Sequence, residues 1–459
     1  MSKTDLETHS YPLGAISAGT APSSQQDAEL STRLQDTTSD TPPAHAVEQE
    51  RPAGFMMIFQ TIGINQTYGI FQEFYTSSKS NVVDGPGQES LVSLVGTLGS
   101  GLTWSGSIFV SPLISRTDHL KILTLSGAII MSLGIILASF ATRLWHLFLT
   151  QSLLYGIGSS LLYYPILSLT PPYFDRHRGF AMGIVLAGSG VGGLVLAPAL
   201  HQLLETVGIQ WTLRILGLWN AAVCIPIACV VRRPPGYRNA TRLNLALATR
   251  GTFLLQSLGA FLQAAGNVIP LYYLTTYSTS VLSYSSSTGS VLLAINSAVN
   301  SVSRISMGFL ADYVGRQNTM VLSVILSAVS VFALWLDATR PRFAAFIVFY
   351  GVYAGGYNAL FPTTITDVYG VQNYASVNAA IYFIRGLGSI FGAPVAGVIL
   401  GNHQRGGRSH TAGAAERMLR MKYDHVVVYD GALLLGASIC VAYVRWLDAK
   451  NKGVWKWKA

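Results

Sequence analysis

Residues 120–140 read LKILTLSGAIIMSLGIILASF, with Lys121 as the sole charge. A helix needs roughly 20 apolar residues to cross a bilayer core of about 30 Å, and this stretch supplies them. Comparable stretches lie near 54–75, 90–114, 144–169, 179–203, 211–231, 252–276, 287–310, 318–337, 343–365, 375–400 and 426–446. They fall into two sets of six around one short basic loop. Inside lipid, a helix satisfies its own backbone N–H and C=O groups, so a bundle is the structure that suits such a chain. The reading is an all-α membrane protein with twelve transmembrane helices in two pseudo-symmetric six-helix halves. Composition agrees: 50% of residues are hydrophobic and 11% are charged, against about 25% charged in ordinary soluble domains.

The segments follow from these stretches. Residues 1–51 are polar and read as a disordered cytoplasmic tail, with no basic start and apolar core of a signal peptide. Residues 52–232 form the first half, 233–250 a cytoplasmic linker and 251–446 the second half. Residues 401–424 read as an extracellular insertion and 447–459 as a second cytoplasmic tail. Putting both termini inside leaves most Lys and Arg on the cytoplasmic side, including the central cluster Arg232, Arg233, Arg238, Arg242 and Arg250. The net charge of +9 then reflects the positive-inside bias and implies no nucleic-acid partner. Cys224, Cys229 and Cys440 all lie in apolar stretches, as packing residues without a disulfide.

The halves resemble each other faintly. Gly54 opens the first stretch and Gly251 the seventh; Gly192 to Pro198 ends the fifth, and Gly392-Ala-Pro394 sits at a similar offset in the eleventh. After the eighth stretch comes Gly308-Phe-Leu-Ala-Asp312-Tyr-Val-Gly315-Arg316. This resembles the loop signature of the major facilitator superfamily, with Tyr313 in place of one Arg. The resemblance implies a central substrate site between parallel halves and a gating latch in which Asp312 pairs with Arg316. The first-half counterpart is degenerate, with Ser115 where the acid would stand.

Residues 173–198 begin Tyr-Phe-Asp-Arg176-His-Arg178-Gly-Phe-Ala-Met-Gly183 and continue as a Gly-rich helix through Gly188, Gly192 and Gly193. This resembles the fourth-to-fifth helix signature of the monocarboxylate porter family, closest to its fungal members. Tyr155-Gly-Ile-Gly158, Trp211-Thr-Leu-Arg214 and Gly69-Ile-Phe-Gln72 add to it. Arg176 and Arg178 stand at a helix start, placed for cytoplasmic headgroups at the gate. The glycines read as close helix packing.

Arg304 is the leading site candidate, mid-stretch in Asn300-Ser-Val-Ser-Arg304. An Arg at a helix centre costs about 2.5–3.5 kcal/mol on insertion scales, so it needs a wet cavity or a partner, or it must snorkel to headgroups. The resemblance implies that it binds a substrate carboxylate, which a guanidinium can hold by two hydrogen bonds. The proton-coupled members have an Asp where this chain has Asn300, and a Lys where it has Asn65, so their proton relay is not carried over. The resemblance also aligns Phe361 with an aromatic that narrows the pocket. Arg385 reads as a second cavity charge, and Arg214 stands between function and interface anchoring. Tyr164, Asn296 and Asn358 join an aromatic and amide lining suited to an organic acid.

The function expected is alternating-access transport of a monocarboxylate or related small organic metabolite, at the plasma membrane, by a monomer in the lipid bilayer. Export of a secondary metabolite and a non-transporting sensor on the same fold stand as alternatives. No cluster of catalytic residues, metal ligands or phosphate-binding glycines points to an enzyme or a cofactor. Glu73 and Asp367 are the acids noted near span ends.

Overall fold

The computed structural model describes residues 44–77, 89–117, 119–169, 178–231, 245–401 and 412–452, all within one compact unit. The first span is Ala44–Gln66 and Tyr68–Thr76, joined through Thr67; the second is Glu89–Ser105 and Ser107–Arg116, joined through Gly106. The third is Leu120–Ala138. The fourth runs through Leu144–Leu147, a π-helical turn Phe148–Leu154, and Tyr155–Leu169. The fifth is Arg178–Thr206 and the sixth Gly208–Val230. After a short linker helix Leu245–Ala248 come Gly251–Ser280, Ser286–Val314, and Arg316–Ser330 with its π-helical end Val331–Trp335. Arg340–Tyr369, Val371–Gly401 and Ala412–Asn451 complete the twelve.

Three boundaries differ from the sequence reading. Helix begins at Ala44 rather than after residue 51, and the twelfth span begins at Ala412, inside the expected insertion, and continues to Asn451. Helices extend past the hydrocarbon wherever their backbone bonds continue, and apolar patterning does not mark that point. The expected tail over 1–43 and most of the basic linker lie outside the described residues.

Among the described residues, eight helices are long and apolar enough to cross a membrane. The first, second, fourth and eighth spans fall short, for two reasons. The first three are interrupted, and the eighth is polar, with Asn296, Asn300, Ser301, Ser303 and Arg304 all buried. Polar side chains that face protein rather than lipid explain both the low hydropathy and the position at the centre.

The bundle is held by backbone contact between halves. The fifth span lies between the first and the eighth, and the eleventh between the second and the seventh. The third span packs on the sixth, and the ninth on the twelfth, at the periphery. Ile122, Leu218 and Ile439 on those outer spans are exposed, as a lipid-facing surface requires. A Cβ at Gly183 would lie 2.5 Å from the Arg304 carbonyl oxygen, and one at Gly188 2.3 Å from that of Phe55. One at Gly386 would lie 2.5 Å from the Gly101 carbonyl oxygen. These glycines let whole helices meet without an intervening side chain. Cys224 and Cys440 are buried, Cys229 is exposed, and all three are free thiols.

Gly188→Val is therefore expected to force the first and fifth spans apart and to lower stability by about 1–3 kcal/mol. Gly251→Ala meets only Leu447, at 3.8 Å, and should leave the melting temperature unchanged. Thermal unfolding of the purified protein followed by size-exclusion fluorescence checks the pair.

Candidate functional site

A small cavity lies between the halves, lined among others by Asn65, Gln66, Trp104, Tyr163, Asn267, Tyr272, Arg304, Asn358, Tyr382 and Arg385. Its lining comes from the first, second, fourth, fifth, seventh, eighth, tenth and eleventh spans; the third, sixth, ninth and twelfth contribute nothing. Its volume is about 50 Å³, room for a few waters.

Arg304 does not snorkel. It is buried, its Nε donates to Asn300 Oδ1 at 2.8 Å, and its Nη1 donates to the Leu186 carbonyl at 2.9 Å. Asn300 is thus the residue that orients Arg304, one helical turn earlier on the same face. These bonds take two of the five guanidinium donors, and both acceptors are uncharged.

Arg385 is 2% exposed. Its Nη2 donates to Gln263 Oε1 at 3.3 Å and to Asn358 Oδ1. Its Nε has no protein acceptor. Its guanidinium carbon lies 4.6 Å from the Trp104 ring centre, 5.1 Å from Phe361, 5.5 Å from Tyr382 and 5.7 Å from Tyr357. Aromatic faces carry a negative quadrupole, so this cage stabilises the cation without a carboxylate. No Asp or Glu is among the residues lining the cavity.

The remaining expected residues divide. Asn65 and Asn358 line the cavity, and the Asn65 Nδ2 has no partner. Phe361 is fully buried and stacks on Tyr357 at 5.3 Å, behind Arg385 and not at the cavity wall. Asn296 is buried against Gly351, outside the lining. Tyr164 is not at the wall; its hydroxyl donates to the Ala375 carbonyl at 3.0 Å, tying the fourth span to the eleventh. Tyr163, its neighbour, takes the wall position. Arg214 lies away from the cavity, its Nε on Ser139 Oγ at 3.2 Å and its guanidinium over Phe140 and Trp211. Sequence reasoning passed over Trp104 and Gln263. Trp104 carries a signal, a large indole in a stretch rich in Gly and Ser.

Contacts between the halves lie towards both ends of the bundle. At the end that carries the termini, Tyr374 donates to the Leu167 carbonyl at 3.1 Å and Ser107 to that of Ala379 at 2.8 Å. At the far end, Thr275 Oγ1 donates to the Gly69 carbonyl at 3.1 Å. The 308–316 loop adds charge to the first set. Arg316 Nη2 lies 3.1 Å from Asp312 Oδ1, and its Nη1 lies 3.0 Å from Asp367 Oδ1. The Phe180 amide donates to Asp312 Oδ2 at 3.2 Å. Asp312 therefore faces the positive end of the fifth helix across the interface. Arg176 and the Arg178 side chain lie outside the described residues.

The sequence profile of the Major Facilitator Superfamily matches residues 53–393 and 256–453. The chain belongs to that superfamily. It is a multi-pass membrane transporter. The MFS-type transporter pynF of Aspergillus niger is 27% identical over 412 residues, covering 88% of each chain. The Agnestins efflux protein AgnL12 of Paecilomyces divaricatus is 25% identical over 362 residues, 75% of this chain and 79% of that one. The Aspyridones efflux protein apdF of Emericella nidulans is 27% identical over 361 residues, 76% and 70% respectively. A crystal structure of a bacterial homologue of the human lysosomal transporter Spinster, inward-facing and occupied, superposes with a TM-score of 0.64 at 17% identity. It covers 90% of this chain and 100% of that one, and shows the shared fold.

Removing the Arg316 side chain leaves Asp312 and Asp367 without their common cation. In a background lacking the three native cysteines, Leu186→Cys at the cavity wall should react several-fold faster with a maleimide in detergent once Arg316→Ala is added. An unchanged rate contradicts the latch.

Proposed function

We propose that this transporter exports an organic anion with an aromatic or conjugated body, of the secondary-metabolite class, by alternating access. The observation that carries this reading is a pair of buried arginines, Arg304 and Arg385, in one cavity whose lining holds no acid. Each guanidinium is held by neutral dipoles or rings, which orient it and leave its charge uncompensated. A substrate carboxylate or enolate entering the cavity supplies the missing charge, with two hydrogen bonds to a planar guanidinium. Trp104, Tyr163, Tyr272 and Tyr382 offer faces on which a flat body stacks. Export rather than uptake is favoured by the relatives named as efflux proteins for agnestins and aspyridones.

In this reading Arg304, oriented by Asn300, is the carboxylate anchor, and Arg385, oriented by Asn358 and Gln263, faces it as the second anion site. Asn65 supplies a free amide donor. Tyr164, Phe361 and Asn296 act through packing. Asp312 and Arg316, with Arg176 and Arg178 at the same end, serve the gate. The chain is then a fungal-type member of the monocarboxylate porter family without that family's Asp and Lys pair. It sits in the plasma membrane as a monomer with both termini cytoplasmic. The cavity as it stands has room for only a few waters, so a conjugated substrate enters only from a more open state.

The test uses 2-naphthoate as probe and tryptophan fluorescence of purified protein as readout, since Trp104 lies beside Arg385. Naphthoate should quench saturably, and Arg304→Ala and Arg385→Ala should each weaken binding at least tenfold, about 1.5–3 kcal/mol for a hydrogen bond to a charged group. Trp104→Phe should remove the signal. Equal affinity in the wild type and both arginine variants refutes the anion site.

A further inference from the structure

The twelfth span carries a carboxyl group that the cavity does not use. Asp430 is fully buried, and neither of its oxygens has a hydrogen-bond partner. It is the one carboxyl group in that condition among the described residues. The contrast with other acids is sharp. Asp448, also buried, accepts from Gln317 Nε2 and Lys452 Nζ, both at 2.8 Å. Asp312 has Arg316.

Its neighbours explain the isolation. The twelfth span packs on the seventh, ninth and eleventh. From the seventh comes Gly266, where a Cβ would lie 3.1 Å from Asp430 Oδ1 and 3.0 Å from Leu434. From the ninth, the Phe332 ring crowds Gly431. Within electrostatic reach are the Tyr350 hydroxyl of the tenth span, itself without a partner, and Tyr429 beside Asp430 on its own helix. No described residue of the seventh, ninth or eleventh span brings a charge to it. A carboxylate without donors or a cation in such a place costs several kcal/mol. Adding a proton to the Asp430 carboxylate removes that cost.

We infer that Asp430 is a proton-binding site of this transporter, set apart from the substrate cavity and read through the seventh span. Gly266 lies half-way along that span, next to Asn267, with Val268, Leu271 and Tyr272 further along; these four line the cavity. Gln263, one turn earlier, holds Arg385. When the seventh span moves to open the cavity, the contact of Gly266 with Asp430 changes and water reaches the seam. The Asp430 O–H bond then breaks, the proton passes to that water, and a solvated carboxylate remains. Reclosure requires the proton back. Proton binding and closure thereby favour each other, as linkage demands.

The direct test is infrared difference spectroscopy of the full-length protein in liposomes, which needs no substrate. The wild type at neutral pH should show a protonated-carboxyl stretch that shifts on transfer to deuterium oxide within minutes and fades at alkaline pH. Asp430→Asn should lose that band, while Asp312→Asn keeps it. Asp430→Glu should retain a displaced band, which covers the case in which the Asn variant does not fold. A wild-type spectrum without the band overturns the inference, as does a band that survives in Asp430→Asn. A band that never exchanges also overturns it, because the acid is then a locked structural group. Loss of naphthoate binding leaves this result untouched, so the two readings fail separately.

Discussion

Two arginines held in the middle of a bilayer without a carboxylate are the constraint on which the rest of this structure depends. Each carries an insertion cost of about 2.5–3.5 kcal/mol if left among lipid. The fold removes both from lipid by surrounding them with eight spans and neutralises neither. Arg304 is oriented by an amide oxygen and a carbonyl, Arg385 by two amide oxygens and a ring of aromatics. Dipoles of this kind fix a cation in place and leave its charge to act at the cavity. The polar eighth span, the Gly-lined seams that bring the fifth and eleventh spans close, and the contacts between halves towards both ends all follow from keeping those charges inside protein.

In the proposed mechanism a second set of contacts serves the gate. Asp312 receives the Phe180 amide of the other half and the Arg316 guanidinium of its own, so a single acid joins both sides of the interface. Arg316 extends the link to Asp367. Such a chain holds while all three groups stay together and gives way as a unit once the helices rock. At the opposite end the charges pair within one half, Arg420 with Asp337 at 3.2 Å, and the halves meet through Thr275 on the Gly69 backbone. The two ends thus differ in what must be broken to open them.

Much of this was legible in the sequence. Apolar length gave the twelve spans, and the resemblance of the 308–316 loop to the superfamily signature pointed to the Asp312–Arg316 pair, found at 3.1 Å. Arg304 stood out because a charge in an apolar helix needs a reason. What stayed hidden has physical causes. The breaks at Thr67 and Gly106 and the π-helical turns come from tertiary packing and leave no mark in hydropathy. Tyr163 and Tyr164 differ by one residue, which on a helix is about 100° of rotation; apolar patterning does not resolve it when both neighbours are buried. Phe361 was expected at the wall and lies behind Arg385, since alignment transfers a helix position and not the packing around it. Asp430 escaped notice because it follows the charged run from Arg417 to Asp424 closely enough to read as a helix end. In three dimensions it lies level with the middle of the seventh span.

The claim at the centre is that the cavity between Arg304 and Arg385 is an unfilled anion site. Crystals grown with 4-iodobenzoate test it by anomalous scattering, because iodine marks the ligand without assumptions about its pose. The account predicts an iodine peak between the two guanidinium groups, with the carboxylate on one of them and the ring against Trp104 or Tyr382. Iodine found only at the lipid face or in surface grooves, with the cavity empty at saturating ligand, contradicts it.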